Sequence, residues 1–250
     1  MIIDSRYEVI EQLMTDLWSI VYKVKDTRTD KIYSLKLFHN LDANSLYEKF
    51  SAEQMYHITK IDHPNLLKVH DFGNFGSNVY YIREHYEGRT LRYFKFVPSN
   101  VELVYDIIVQ ICYAFNALHS QKIIHKDFKL ENVAYKILRN QVDVRVMDYG
   151  FAKLDFSEGG QKIGSSLPFV APEIYLDNNP FPQSDYYSLG VILYRLTTGA
   201  LPYTVEQITG FITGSEYHKF TITLFYQRYK IQQLVRIILS GKVASHLDII

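Results

Sequence analysis

The stretch 124–132, in the middle of the chain, brings together side chains that could carry out chemistry: His125, Lys126, Asp127, Lys129 and Asn132. A carboxylate can accept the proton of a hydroxyl group, a lysine can stabilise a phosphate, and an amide oxygen can hold a magnesium ion. Any one of these residues alone would be an ordinary polar residue of a loop. Their combination within one short loop suits phosphoryl transfer.

The elements on either side would hold this loop in place. Before it, apolar residues repeat on one face of a helix that a capping box at 99–102 would open; they are Val104, Ile107, Ile108, Ile111, Phe115 and Leu118. After it comes a strand-like run, and residues 142–147 then alternate as a further strand that ends at Asp148. A carboxylate at a strand end followed by glycine can hold magnesium, although Asp-x-Gly is also common in turns.

The first part of the chain predicts an antiparallel sheet. Apolar and polar residues alternate over 7–13, 20–25 and 32–38, with a turn through 26–30 between the last two. Helical spacing then covers 43–61 and ends before Pro64. Two more strands are expected around 66–72 and 78–84, with Gly73 and Gly76 between them. We therefore predict a small N-terminal lobe of five strands and one helix.

The composition of the whole chain limits its classes of function. The 27 basic and 27 acidic residues cancel, which argues against a general electrostatic role on nucleic acid or a membrane surface. The single cysteine, Cys112, lies in an apolar helical pattern, and no disulfide framework is visible. No secretory signal peptide and no membrane-crossing apolar run stand out. We expect an intracellular, cytoplasmic protein.

The order His-x-Asp-x-Lys-x-x-Asn resembles the catalytic loop of eukaryotic protein kinases, and further motifs match in sequence. Lys36 is similar to the third-strand lysine, 148–150 to Asp-Phe-Gly, 171–173 to Ala-Pro-Glu, and 184–199 to the F helix. The resemblance runs from about Tyr7 to about Tyr203. It implies one bilobal α+β kinase-like domain over 1–250, with an N-lobe (1–84), a hinge (85–88) and a helical C-lobe (89–250) that is expected to be abbreviated.

The resemblance also implies roles for individual residues. Asp127 would accept the substrate proton and Lys129 would stabilise the transferred phosphoryl group, while Asn132 and Asp148 would hold Mg²⁺. ATP would be bound by Lys36, Val21, Ser34, Glu84, Tyr86, Ala134 and Met147. Lys129 favours serine/threonine over tyrosine specificity in a protein substrate. Asp185 would cap the backbone of the catalytic loop, and Ser157, Ser165 and Ser166 are candidate phosphorylation sites.

Several positions depart from the kinase pattern. The three expected glycines of the phosphate-binding turn are Met14, Asp16 and Ser19, which should hold the backbone away from phosphate and weaken nucleotide binding. Gln54 stands where a glutamate should pair with Lys36, and the neighbouring Glu53 should point elsewhere on the helix. The other departures are Arg83 before the hinge, Ser34 and Ala134 around adenine, and Lys126 in place of arginine.

Two functions are compatible with this pattern. In the first, the chain is an ATP- and Mg²⁺-dependent serine/threonine protein kinase. In the second, it is a pseudokinase that serves as a binding or scaffolding module. We favour the enzyme because the losses affect affinity and positioning more than the chemical groups themselves. The sequence leaves the oligomeric state open.

Overall fold

The computed structural model describes residues 1–16, 19–38, 52–95, 97, 101–139, 141–150, 167–171, 173–174, 180–204 and 206–208. The chain divides into two compact units. The N-terminal unit is Met1–Gly88, and the C-terminal unit begins at Arg89.

An antiparallel sheet forms most of the N-terminal unit, with strand order β1-β2-β3-β4-β6-β5. The strands are β1 (Ile2–Ile3), β2 (Tyr7–Thr15), β3 (Ser19–Asp26), β4 (Ile32–Phe38), β5 (Val69–Phe75) and β6 (Asn78–Glu84). The prediction of five strands was one too few, because a two-residue strand such as β1 is too short to show alternation.

Strand β5 begins at Val69, not at Leu66, and it includes Gly73. This glycine lies opposite Tyr80 on β6, and a Cβ placed on it would come within 2.3 Å of the Tyr80 hydroxyl oxygen. The strand therefore accepts glycine here for close packing and not as a turn residue. The turn itself uses Gly76, which has a left-handed φ of 62°.

The alternating strands bury one cluster of apolar side chains beneath the sheet: Ile3, Tyr7, Val24, Leu35, Leu37, Tyr80 and Ile82. A single helix of the described part of this unit, α1 (Ala52–Lys60), comes next in the chain after β4. It ends shortly before Pro64, as predicted, whereas the first half of the predicted helix lies outside the described residues.

In its described ranges, the C-terminal unit has two long helices, α2 (Val101–Ser120) and α3 (Pro182–Thr198). The predicted apolar face of α2 is confirmed, since its six residues from Val104 to Leu118 are all buried. Ser99 and Asn100, the first two residues of the capping box predicted for its start, lie outside the described residues. Helix α3 ends at Gly199, whose φ of 77° suits glycine. No helix within the described ranges is long and apolar enough to cross a membrane.

A small antiparallel sheet completes the described part of the C-terminal unit, with the order β7-β8-β9. Its strands are β7 (Arg89–Thr90), β8 (Val133–Leu138) and β9 (Gln141–Val146). A 3₁₀ turn, Leu130–Asn132, leads into β8. The loop 124–132 therefore lies between α2 and β8, and β9 leads to Asp148, as the sequence predicts.

Candidate active site

Asp185, in the first turn of α3, fixes the start of the loop 124–132. Its buried carboxylate accepts hydrogen bonds from two backbone N–H groups, that of His125 at 2.9 Å and that of Lys126 at 3.0 Å. Hydrogen bonds to a carboxylate are about twice as strong as those between neutral groups. The predicted capping of the loop by Asp185 is confirmed.

His119, near the end of α2, is a third partner of Asp185 that the sequence did not reveal. Its Nε2 lies 2.8 Å from Asp185 Oδ2, and its ring stacks on Phe115 with centroids 5.6 Å apart. The available signal was a polar residue one turn after a buried aromatic on the apolar face of α2. Asp185 thus connects α3 to α2 through His119, and to the loop 124–132 through the backbone N–H groups of that loop.

The three polar groups assigned to the chemistry lie together within this loop. Lys129 Nζ is 3.0 Å from Asp127 Oδ2. Asn132 Nδ2 donates to the Asp127 backbone carbonyl at 2.7 Å and approaches Asp127 Oδ2 at 3.3 Å. The carboxylate is thereby oriented by two neighbours while its side chain remains 27% exposed, so a substrate hydroxyl could reach it.

His125 and Met147 connect the loop to the segment that carries Asp148. The buried His125 ring contacts the Met147 carbonyl oxygen through Nε2 at 3.0 Å, and the Met147 N–H donates to the Asn132 carbonyl at 3.0 Å. Tyr149 stands where the Asp-Phe-Gly motif has phenylalanine, and its ring is fully buried.

Two residues of this region adopt left-handed backbone conformations, Lys126 with φ of 71° and Asp148 with φ of 61°. Such a conformation costs of order 1–3 kcal/mol for a residue with a Cβ and persists only where neighbours impose it. At Lys126 the imposing neighbour is Asp185, which binds its N–H. Strain of this kind concentrates at functional sites.

Asn132 and Asp148 are chemically suited to magnesium. Because the Asn132 amide directs Nδ2 toward Asp127, its Oδ1 is the atom that can serve another partner. Asp148 supplies carboxylate oxygens, and Mg²⁺ prefers oxygen ligands from one or two side chains together with phosphates and water. The oxygen atoms of Asn132 and Asp148 therefore suit Mg²⁺, and their assignment as its ligands stays a prediction.

The nucleotide residues predicted in the N-terminal unit lie on adjacent strands. Lys36 on β4 is paired with Val21 on β3 and with Tyr81 on β6, and its Nζ lies 5.5 Å from the centre of the Phe38 ring. Val21 and Ser34 are buried. On α1 Gln54 is exposed.

Glu53, the residue before Gln54, contacts another residue of its own helix. Its Oε1 lies 3.8 Å from His57 Nε2, one turn further along α1. Both side chains are mostly exposed, so this ion pair contributes little to stability.

The predicted hinge follows β6. Glu84 is the last residue of that strand and donates its N–H to the Lys68 carbonyl at 2.8 Å. The Tyr86 carbonyl accepts from the Gly88 N–H at 3.1 Å. The remaining two adenine contacts predicted, Ala134 and Met147, are buried residues of the C-terminal unit.

The turn between β2 and β3 is closed by its own side chains. Asp16 Oδ1 accepts the Ser19 N–H at 2.7 Å, Asp16 Oδ2 accepts the Ser19 hydroxyl at 3.0 Å, and the Asp16 N–H donates to the Ser19 carbonyl at 2.9 Å. Two of the three expected glycine positions therefore bind each other. The Asp16 carboxylate therefore already accepts a backbone N–H group, that of Ser19, which could otherwise donate to a phosphate.

Glu173, in the predicted Ala-Pro-Glu motif, has a partner that sequence reasoning missed. Ser184 Oγ donates to Glu173 Oε1 at 2.6 Å and accepts the Phe181 N–H at 3.1 Å, at the N-terminal end of α3. The Ser188 and Tyr203 hydroxyls bind the carbonyls of Phe169 and Pro168. Pro172, Ser157, Ser165 and Ser166 lie outside the described residues.

Comparison with known proteins identifies the class. The family model described as the protein kinase domain matches residues 7–237, so the chain belongs to the protein kinase domain family. Among solved structures, a mutant of the Mycobacterium tuberculosis PknI kinase domain matches with a TM-score of 0.64 and 22% identity, covering 80% of this chain and 76% of that one. This likeness shows the α+β kinase fold.

Curated relatives carry kinase names. The probable serine/threonine-protein kinase PknB of Lactococcus lactis is 29% identical over 80% of this chain and 32% of its own length. The serine/threonine-protein kinase pkn3 of Myxococcus xanthus is 30% identical over 77% of this chain and 38% of its own length. The chain therefore spans about a third of the length of these relatives.

Proposed function

We propose that this chain is an ATP-dependent protein kinase that transfers the γ-phosphoryl group to serine and threonine hydroxyl groups of protein substrates. The observation that carries this proposal is the loop geometry, in which Lys129 and Asn132 both contact the partly exposed carboxylate of Asp127. The serine/threonine kinase names of its relatives support the same activity.

In this mechanism each residue of the loop and its neighbours has one role. Asp127 accepts the proton as the substrate oxygen bonds to the γ-phosphorus, and the bond to the leaving ADP oxygen breaks. Lys129 lies beside Asp127 and stabilises negative charge on the transferred group. Asn132 and Asp148 would hold Mg²⁺, which neutralises phosphate charge when bound. Asp185 keeps the loop backbone in the geometry that this transfer needs.

The nucleotide would be held mainly by the strands and the hinge. Lys36 is proposed to contact the α- and β-phosphates, and the hinge backbone at Glu84 and Tyr86 to bind adenine. The other proposed adenine contacts are Val21, Ser34, Ala134 and Met147. Because Asp16 already binds the Ser19 N–H, we expect ATP to bind more weakly than to a turn with free N–H groups.

Phosphate transfer from labelled Mg·ATP to a generic basic protein substrate tests the proposal directly. Asp127→Asn keeps the shape of the side chain but removes the base, so transfer should fall by about 10²- to 10⁴-fold. Asp106→Asn, an exposed position on α2, serves as the matched control and should retain wild-type transfer.

The Asp16–Ser19 contact is also the observation that favours a pseudokinase as the second candidate. In that case neither the wild type nor Asp127→Asn would transfer label at millimolar ATP, although both proteins were folded. This result would overturn the proposed activity. Transfer that is equal in the wild type and Asp127→Asn would instead contradict the role assigned to Asp127.

A further inference from the structure

Ser34 and His85 form a side-chain contact that the kinase resemblance does not account for. Ser34 lies on β4 and is 5% exposed, whereas His85 follows β6 and its side chain is 14% exposed. Their Oγ and Nδ1 atoms are 3.0 Å apart. The contact therefore ties the segment after β6 directly to the neighbouring strand.

The direction of this hydrogen bond follows from the state of the imidazole. Burial, and then the charge of Lys23, lower the pKa of His85, so the ring is neutral near pH 7. Its Nε2 faces Glu87 Oε1 at 3.9 Å, which favours the proton on Nε2. Nδ1 is then an acceptor, and the Ser34 hydroxyl donates to it.

A second contact at the same place is much weaker. Lys23 Nζ lies 3.7 Å from Glu87 Oε1, but the Glu87 side chain is 81% exposed. Exposed ion pairs of this kind contribute little, because water screens the charges and both side chains lose entropy. Of these two side-chain contacts of the hinge, the Ser34–His85 hydrogen bond is therefore the stronger one.

We propose that His85 is a positioning residue for the nucleotide, which holds the hinge backbone at Glu84 and Tyr86 in place through the hydroxyl of Ser34. The proposal rests on the proposed function, since the hinge backbone is there assigned to adenine. It also explains how the buried position of Ser34 can hold a polar side chain. A buried hydroxyl needs a partner, and His85 supplies one, so the hydroxyl adds no unsatisfied polar group beside the base.

Nucleotide binding by four variants tests this assignment. His85→Leu and Ser34→Ala should each weaken ATP binding by about three- to tenfold, which corresponds to one net hydrogen bond. The double variant should bind no more weakly than the weaker single variant. His85→Asn places an acceptor oxygen near the position of Nδ1, so it should restore affinity to within about twofold of the wild type. Titration calorimetry with ATP measures all of these affinities.

Steady-state kinetics distinguish a role of His85 in positioning ATP from a general loss of structure. In His85→Leu the rise in KM for ATP should exceed any fall in kcat, because the chemical groups of the C-terminal unit are unchanged. Lys23→Met removes the ion pair with the exposed Glu87 and one positive charge near His85, while burial still lowers the pKa of His85. It should therefore change ATP affinity by less than about twofold. Wild-type affinity in His85→Leu, multiplying effects in the double variant, or a larger effect of Lys23→Met would each overturn the proposal.

The His85 ring itself gives a check that needs no nucleotide. A hydroxyl that donates to Nδ1 favours the neutral ring, so Ser34→Ala should raise the pKa of His85, although burial, the larger cause of its lowered pKa, remains. NMR titration of the imidazole follows this change. An unchanged titration would contradict the hydrogen bond. Wild-type protein that transfers phosphate while the variants bind ATP equally would overturn this inference alone. Wild-type protein that binds no ATP would overturn the proposed function with it.

Discussion

Asp16 shows how one side chain can change what a turn binds. Its carboxylate accepts both the N–H and the hydroxyl of Ser19, so both donors of Ser19 are bound within the turn. A triphosphate approaching this turn would meet a negative charge where the kinase pattern offers glycine. The structure adds that Ser19 holds this charge in place.

Removing the charge of Asp16 should therefore improve ATP binding. Asp16→Asn can still accept the Ser19 N–H but carries no charge, and we expect a gain of about 1 kcal/mol, or about fivefold in affinity, from the lost repulsion. Asp16→Gly also removes the competing acceptor and should gain more. Calorimetric titration with ATP gives both values.

Adenosine is the matched control ligand, because it has the base and ribose but no phosphates. Its affinity should be the same in the wild type and in Asp16→Asn. If adenosine gains as much as ATP, the effect comes from altered folding of the turn and not from charge. If neither ligand gains, the turn does not lie near the phosphates.

At the scale of elements, the first turns of α3 connect the separate parts of the C-terminal site. Asp185 binds the loop backbone and His119 of α2, Ser184 binds Glu173, and Ser188 binds the Phe169 carbonyl. Three residues within the first two turns of α3 therefore make contacts to other segments, and these contacts require that the start of the helix is held in place by burial. The apolar residues that follow, from Leu189 to Leu193, supply that burial.

Replacing Asp185 should damage both stability and catalysis. Asp185→Ala leaves the N–H groups of His125 and Lys126 without their acceptor, at a cost of about 1–3 kcal/mol for each N–H group that is left unpaired. Urea unfolding should show this loss, and phosphate transfer should fall with it because Asp127 follows directly in the loop.

Tyr186→Phe is the matched control for Asp185→Ala, since it lies beside Asp185 on α3 and keeps its ring contacts with Phe115 and His119. We expect it to change the free energy of unfolding by less than about 0.5 kcal/mol. A loss in Asp185→Ala no larger than that of the control would show that the loop is held by other contacts.

The sequence predicted the elements and the loop chemistry because both follow local rules. Alternation marked β2, β3, β4 and β6, and fixed spacing marked Asp127, Lys129 and Asn132. The misses were contacts between residues far apart in the chain. His119 with Asp185, Ser184 with Glu173, and Ser34 with His85 obey no period, and only the folded chain brings them together. Strands β1 and β7 were missed because two residues carry no pattern.

At the scale of the whole molecule, the N-terminal unit has its own core and an ion pair whose carboxylate is buried. Arg6 donates to both carboxylate oxygens of the buried Asp26, at 3.1 and 2.9 Å, and further bonds come from the Arg28 N–H and the Thr29 hydroxyl. The Arg6 hydrogen bonds lower the pKa of Asp26 to about 2 from an ordinary 3.8, against the opposing effect of burial. This pair links the residue just before β2 to the last residue of β3.

The lowered pKa makes the contribution of Asp26 to stability depend on pH. Since the folded value lies below the unfolded one, the stabilisation is fully present above about pH 4 and is lost as the pH falls toward 2. We expect Asp26→Asn to be about 1–2 kcal/mol less stable than the wild type at pH 6, after allowance for solvent screening at the partly exposed Arg6. The difference should shrink steadily below pH 4.

Urea unfolding at a series of pH values between 6 and 2.5 measures this difference, with fluorescence of the single tryptophan, Trp18, as a probe in the N-terminal unit. Asp30→Asn is the matched control, because Asp30 lies in the same turn, is 82% exposed and already tolerates a left-handed φ of 59°. Its difference from the wild type should be small at every pH. A gap between Asp26→Asn and the wild type that stays constant down to pH 2.5 would show that Asp26 stabilises the unit by packing and hydrogen bonds that do not depend on its charge.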